Sequence, residues 1–263
     1  MYEKALSLMF TAWVVVFFLM SFLWLIGKVI RNYAIVDVGW GLCISTIAII
    51  YFLLGDAYSV RKAIFAIMAT VWGWRLSYFI FTTRVLSGHE DPRYSAFRQE
   101  YGDQVDRKFF TNVFQFQGIL GIFLSLPFLF PALNPSIVTE PLEIIGLFIF
   151  TIGVIGESIS DFQLAEFKSE PANQGKVCDI GLWRYSRHPN YFFEWVIWIS
   201  FGLVSLASPW GWIGLISPLV MYILLTKITG VPLNEIGQLR SKGKLYEEYR
   251  AKTSSFFPWF PKK

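Results

Sequence analysis

The run Gly181-Leu182-Trp183-Arg184-Tyr185-Ser186-Arg187-His188-Pro189-Asn190-Tyr191 leads straight into Phe192-Phe193-Glu194-Trp195 and an apolar stretch. Arginines, a histidine, an asparagine, tyrosines and a glutamate thus crowd the edge of an apolar segment, where unpaired polar groups are costly. The arginines supply forked donors suited to phosphate or carboxylate, and the positive end of the following helix points at the same spot. Asn190 is expected to cap that helix while offering its amide to a ligand, and Glu194, one turn on, suits a ribose hydroxyl or an amide. Pro189 holds His188 extended and aims it out of the loop. The competing reading of the same residues is a basic belt against lipid headgroups over a capped helix start.

The carboxyl-terminal tail has a similar make-up. Gly230-Val231-Pro232-Leu233-Asn234-Glu235 precedes Arg240, Lys242, Lys244, Tyr246, Tyr249 and Arg250, and the chain closes on Phe256-Phe257-Pro258-Trp259-Phe260-Pro261. Tyr246, Tyr249 and Arg250 fall at i, i+3 and i+4, one face of a short amphipathic helix that either anchors at the membrane surface or closes over the loop around Arg187. Polar residues also stand inside apolar runs. Glu157 and Asp161, four apart, project from one helix face and must be hydrated, paired with cations or partly protonated. Asp37 opens Asp37-Val38-Gly39-Trp40-Gly41, where a carboxylate suits a helix start, and Arg75 sits in Trp72-Gly73-Trp74-Arg75-Leu76-Ser77-Tyr78 with Arg84 beyond it. Asp37 and Arg75 are a candidate intramembrane ion pair. Most of Trp13, Trp24, Trp198, Trp210 and Trp212 read as interface anchors or lipid-facing bulk.

The elements that must position these groups follow from composition. The 263 residues are 54% hydrophobic and 19% aromatic, with mean hydropathy +0.47, too apolar for one soluble core. Apolar runs near membrane length predict an all-α, polytopic integral membrane protein with seven transmembrane helices. Their expected bounds are Ala5–Gly27, Val36–Leu54, Ala63–Thr83, Val113–Leu133, Leu142–Ser160, Tyr191–Ala207 and Trp210–Thr229. The first starts without a basic leader or cleavage site and reads as a retained span. Of the 23 Lys and Arg, Lys4, Arg61 and Lys62 fall on one side and Arg75 within a span, while the rest, from Lys28 to Lys263, share the other side. The positive-inside rule then places the amino terminus outside and the carboxyl terminus in the cytosol, with the loops near 84–112 and 161–190 and the tail after Gly230 on the cytosolic face. A net charge of +4 is thereby explained by topology rather than by nucleic-acid binding. Cys43 and Cys178 lack the spacing of a disulfide framework or a zinc site, and no metal is expected. The chain reads as one bundle, residues 1–133 being the lipid-substrate half and 134–263 the cofactor-binding half.

Taken together, the Arg-His-Pro-Asn-Tyr block with Glu194-Trp195, the Gly230-Val231-Pro232-x-x-Glu235 segment and the Tyr246-x-x-Tyr249 to Phe-x-Pro ending resemble the DUF1295 branch of the steroid 5α-reductase family. Asp37-Val38-Gly39-Trp40-Gly41 and Trp72-Gly73-Trp74-Arg75-Leu76 are similar to that branch too, so the resemblance covers nearly the whole chain. It implies a membrane reductase that transfers hydride from NADPH to an enone or related activated double bond of a steroid-like or other lipid substrate. The cofactor shell it implies comprises Asp161, Tyr185, Arg187, His188, Asn190, Tyr191, Glu194, Glu235, Arg240, Tyr246, Tyr249 and Arg250. In that shell Arg187, Arg240 and Arg250 would meet phosphates, Asn190 and Glu194 amide or hydroxyl groups, and the tyrosines would stack or donate.

The chain departs from the animal steroid 5α-reductases at Glu157, where they carry Asn, and at Lys168, the nearest match to an Arg. Their substrate-polarising Glu and Tyr have no direct match. Asp37, Arg75 and Tyr78 are the catalytic candidates, because hydride addition to an enone needs a donor at the carbonyl oxygen. Two rival readings remain open. Isoprenylcysteine carboxyl methyltransferases carry a similar Arg-His-Pro-x-Tyr segment, which implies an S-adenosylmethionine-dependent lipid methyltransferase. The basic segments alone also fit a non-catalytic lipid-binding scaffold. The expected location is a bacterial inner membrane, with the site facing the cytosol and membrane lipids as neighbours.

Overall fold

Residues 2–88, 90 and 92–262 of a computed structural model are described; Lys263, counted above among the cytosolic cations, lies outside them. Every regular element is helical, and no strand occurs among the described residues. The α-helices run α1 Tyr2–Val29, α2 Ile35–Leu54, α3 Ser59–Ile80, α4 Pro92–Tyr101, α5 Val105–Phe109, α6 Phe116–Leu124, α7 Leu126–Leu133, α8 Pro141–Ser169, α9 Pro189–Leu206, α10 Ile216–Ile223, α11 Val231–Lys242 and α12 Lys244–Lys252.

Among the described residues five helical stretches are long and apolar enough to cross a membrane: Tyr2–Val29, Ile35–Leu54, Ser59–Val85, Pro141–Ser169 and Gly211–Lys242. A sixth is added if Arg93–Leu124 and Leu126–Ala132, bent by 46°, form one span. The protein is therefore an all-helical integral membrane protein. Two of the seven expected spans depart from the pattern. The one at Val113–Leu133 breaks at Ser125, because Pro127 has no N–H to give and Pro131 lies inside the next helix. At the break Ser125 Oγ donates to Ile122 O at 2.7 Å, and it meets Tyr51 Oη at 3.2 Å. The one at Tyr191–Ala207 is an 18-residue helix outside the five, with Asn190 and Glu194 in its first turns.

The chain divides into two compact units. The first runs to Glu140 and adds Ser205–Gly214; the second runs from Pro141 to Val204 and resumes at Leu215. In the first unit α2 crosses α3 at Gly41 and Gly73. A Cβ on Gly41 would lie 2.3 Å from Gly73 O, and one on Gly73 would lie 2.4 Å from Gly41 O, so only glycines permit this approach. Ser77 Oγ donates to Val38 O at 2.8 Å across the same seam. At one end of these helices Asp106 accepts from Tyr33 Oη at 2.7 Å and lies 2.7 Å from Lys28 Nζ, while Arg98 pairs with Glu90. At the other end Lys4 meets Asp56 at 3.1 Å and the buried Arg61 donates to the carbonyls of Ser136 and Val138. In the second unit Gly153 and Gly156 bring α8 against Ile197 and Phe193 of α9. Trp198, expected at the lipid face, is fully buried. Cys43 and Cys178 are buried free thiols.

Candidate functional site

In the second unit, the loop before α9 is built by local constraints. Gly181 has φ +53°, and a Cβ there would strike the Gln163 side chain, which instead accepts from Leu182 N at 2.9 Å. Trp183 is buried and donates its indole N–H to Ser160 O at 2.9 Å. The helix then starts at Pro189, whose missing N–H costs nothing at a first helical position. Its first bond is Phe192 N to His188 O, at 3.1 Å. His188 thus takes the cap position expected for Asn190, and Asn190 lies inside the first turn. From there Asn190 Oδ1 accepts from Tyr191 N at 3.0 Å and Nδ2 donates to Asp161 Oδ1 on α8 at 3.3 Å.

Glu235 of α11 is the hub of the loop. Arg187 Nε donates to its Oε1 at 2.8 Å and Arg187 Nη2 reaches the same oxygen at 2.6 Å. Arg187 Nη1 donates to Arg250 O at 3.1 Å and to Thr253 O at 2.6 Å. Arg250 Nε lies 3.4 Å from Glu235 Oε2, and His188 Nε2 lies 3.5 Å from Oε1, too long for a good hydrogen bond. Both members of the Arg187–Glu235 pair are nearly buried, at 10% and 11% side-chain exposure. Arg187, expected to grip a phosphate, instead spends its fork on a carboxylate and two carbonyls. Burial lowers the His188 pKa below its ordinary value, although Glu235 pulls it the other way, so the ring is neutral at pH 7. Tyr191 stacks on it at 5.4 Å and 5°.

The tail closes this arrangement as a strap, residues 253–262. Arg187 N donates to Ser254 O at 2.8 Å, Ser186 Oγ to Phe256 O at 2.9 Å, Trp259 N to Tyr185 O at 2.9 Å, and Lys262 N to Lys252 O at 2.9 Å. Tyr249 Oη donates to Trp183 O and lies 3.4 Å from Ser186 O. The tyrosines of α12 are therefore inside the unit rather than against the membrane surface. Burial pushes Tyr246 up to about 12 and raises Tyr249 as well. Tyr185 is half-exposed, its ring edge-on to Phe260 at 6.0 Å, and Arg240 is exposed on α11.

Three arrangements result. Arg187, His188, Glu235, Tyr246, Tyr249 and Arg250 converge on the loop and strap. A second group is the polar strip of α8 and α9: Glu157, Asp161 and Glu194 are buried, Asn190 joins Asp161, and Glu194 Oε1 accepts from Trp198 Nε1 at 2.9 Å. Thirdly, a groove of about 350 Å³ is lined by Arg187, Arg250, Lys252, Trp259, Phe260 and Lys262 with the backbone between Ala251 and Ser255. Exposed cations beside aromatic rings suit an anionic ligand, and the volume lies at the low end of ligand sites, about 300–1,000 Å³.

In the first unit Asp37 accepts from Arg84 Nη1 and Arg93 Nη2, each 2.9 Å from Oδ2, and from Tyr94 Oη, 2.6 Å from Oδ1. Tyr94 is buried, whereas Tyr78, the tyrosine chosen from sequence, is 72% exposed. Arg75 is half-buried on α3. Tyr94 was missed because it stands 57 residues from Asp37 in a polar loop, with Arg93 beside it as the one hint.

The chain is 25% identical to the uncharacterized protein C594.04c of Schizosaccharomyces pombe over 277 aligned residues, which cover 92% of this chain and 77% of that protein. No solved structure matches it. A family described as "Protein of unknown function (DUF1295)" matches residues 23–253, which take in Asp37, the loop before α9, α11 and α12, and the chain belongs to that family.

Proposed function

We propose that the protein is a membrane-embedded, NADPH-dependent reductase of an activated C=C bond in a lipid-soluble substrate. The observation that carries this reading is the Asp161–Asn190 pair, a carboxylate and an amide 3.3 Å apart between α8 and α9, at the amino-terminal end of α9. A primary carboxamide has the matching donor and acceptor, and the helix end favours an anion nearby. Exposed Arg240 and Arg250 are the guanidiniums suited to phosphate, with Arg187 holding the loop in place through Glu235.

When bound, the reduced nicotinamide would supply hydride to the β-carbon of an enone, and a proton from water would complete the reduction at the α-carbon. The chain's own part is to bind, orient and donate. Asp161 and Asn190 orient the carboxamide. Within the first unit taken by itself, Tyr94 is the candidate donor to a substrate carbonyl oxygen, aligned by Asp37, while Arg84 and Arg93 fix Asp37. This replaces Tyr78 by Tyr94 in the expected catalytic group. The topology that suits this reading has seven spans, counting α9, with the amino terminus outside and the nucleotide entering from the cytosol. A membrane-impermeant maleimide applied to intact cells should label Ser136→Cys and spare Gln174→Cys; the reverse pattern inverts the topology.

Binding to purified protein in detergent tests the function. NADPH should bind saturably, Asp161→Ala should weaken it at least about tenfold, the loss of one hydrogen bond to a charged group, and Asn190→Ala about fivefold, the loss of a neutral one. Saturable S-adenosylmethionine binding without NADPH binding would instead establish the methyltransferase reading.

A further inference from the structure

The strap has two faces, and the cofactor reading uses neither fully. On one side Lys252 and Lys262 are held together by the Lys262 N to Lys252 O bond, and both side chains line the 350 Å³ groove with Arg250. Neither lysine has a carboxylate within salt-bridge range among the described residues. Like charges fixed side by side repel, and an anion in the groove relieves that cost. Trp259 and Phe260 stand beside them at 72% and 74% exposure, a pairing of aromatic rings with lysines that belongs at the membrane–water interface.

On the other side, Phe256 is buried and Phe257 forms one wall of an apolar groove of about 280 Å³ with Trp195, Pro218, Leu219 and Tyr222. Pro218, Leu219 and Tyr222 belong to Gly211–Lys242, one of the stretches long and apolar enough to cross a membrane, which suits an acyl chain as occupant. The indole N–H of Trp195 is already given to Pro218 O at 3.0 Å, which leaves the walls without polar demands. Ser255 lines the first groove and Phe257, two residues further along the strap, lines the second.

We propose that the strap seats one anionic phospholipid, its phosphate between Lys252 and Lys262 and one acyl chain in the groove of Trp195, Leu219, Tyr222 and Phe257. The basic groove selects the headgroup by charge, and the aromatic groove holds the chain by apolar contact. The bound lipid presses the strap onto the loop before α9, through the same backbone bonds that hold Arg187 and Tyr185.

Native mass spectrometry of the full chain in detergent, titrated with palmitoyl-oleoyl phosphatidylglycerol, with the phosphatidylcholine of the same chains or with NADPH, tests the proposal. Phosphatidylglycerol should be retained at one copy and phosphatidylcholine much less. The double substitution Lys252→Gln/Lys262→Gln should weaken phosphatidylglycerol about 30-fold, the product of about fivefold for each lysine near an anionic headgroup. Leu219→Trp, filling the apolar groove, should weaken it several-fold and leave NADPH unchanged. The proposal is overturned if both lipids are retained equally, if either variant keeps the parent affinity, or if the double variant loses NADPH while keeping phosphatidylglycerol, which would give the groove to the dinucleotide. Retention of phosphatidylglycerol by a chain that binds no NADPH leaves this site standing and removes the reductase reading alone.

Discussion

Arg187 and Glu235 lie 48 residues apart and meet through two short contacts with little solvent, so each depends on the other to avoid a buried, uncompensated charge. Arg187→Ala leaves the Glu235 carboxylate with the more distant Arg250, at 3.4 Å, as its cation and frees the Arg250 and Thr253 carbonyls. It should cost about 3–5 kcal/mol of stability, measured as a lower unfolding midpoint in detergent, and a variant as stable as the parent would show the pair to be incidental. His188 gives a pH dependence of definite sign. Its folded pKa lies below the unfolded value of 6.5, so the unfolded chain binds the extra proton as the solution acidifies. The stability it contributes is complete above pH 6.5 and is lost as pH falls through the folded pKa, and His188→Gln should flatten that part of the profile. For catalysis, Tyr94→Phe should lower kcat by roughly 10²-fold or more while the NADPH affinity stays unchanged. Loss of NADPH affinity with kcat unchanged would remove Tyr94 from the proton-donating role.

The α2–α3 crossing shows how an element places chemistry that its sequence does not announce. Gly41 and Gly73 let the backbones touch, and Asp37, one turn before Gly41, then receives Arg84 from the π-helical extension of α3, Phe81–Val85, together with Arg93 and Tyr94 of α4. Gly73→Ala must push α2 away from a carbonyl oxygen that its Cβ would approach to 2.4 Å. A destabilisation of about 1–3 kcal/mol should be joined by faster proteolysis of the 84–101 segment. Unchanged proteolysis would mean that the crossing does not position α4. The start of α9 carries the same lesson. Asn190 has the side chain of a capping residue, but Pro189 fits the first helical position, so the helix begins earlier and turns the Asn190 amide toward Asp161.

At the scale of the molecule, the second unit depends on a tail whose short helix reads from sequence either as a surface anchor or as a cover over the loop around Arg187. Deleting the residues after Lys252 removes the bonds to Tyr185, Ser186 and Arg187 and uncovers Phe256's place among Phe192, Trp195 and Tyr222. That should cost at least about 3 kcal/mol, the scale of one lost buried phenylalanine, read as a lowered unfolding midpoint with protease access to residues 181–188. The sequence by itself determined the all-helical membrane class, the approximate bounds of α1, α2 and α3, the start of α8 but not its end at Ser169, and the neighbourhood of the loop before α9. Those follow from apolar length and from the cost of polar groups at a membrane edge, which are local properties. Only the tertiary structure decided that Arg187 answers Glu235, that Tyr94 rather than Tyr78 meets Asp37, that Trp198 is buried and that the tyrosines of α12 face inward. Each of those is a pairing across tens of residues, chosen by which helix faces can approach, and local residue type and spacing do not encode that choice.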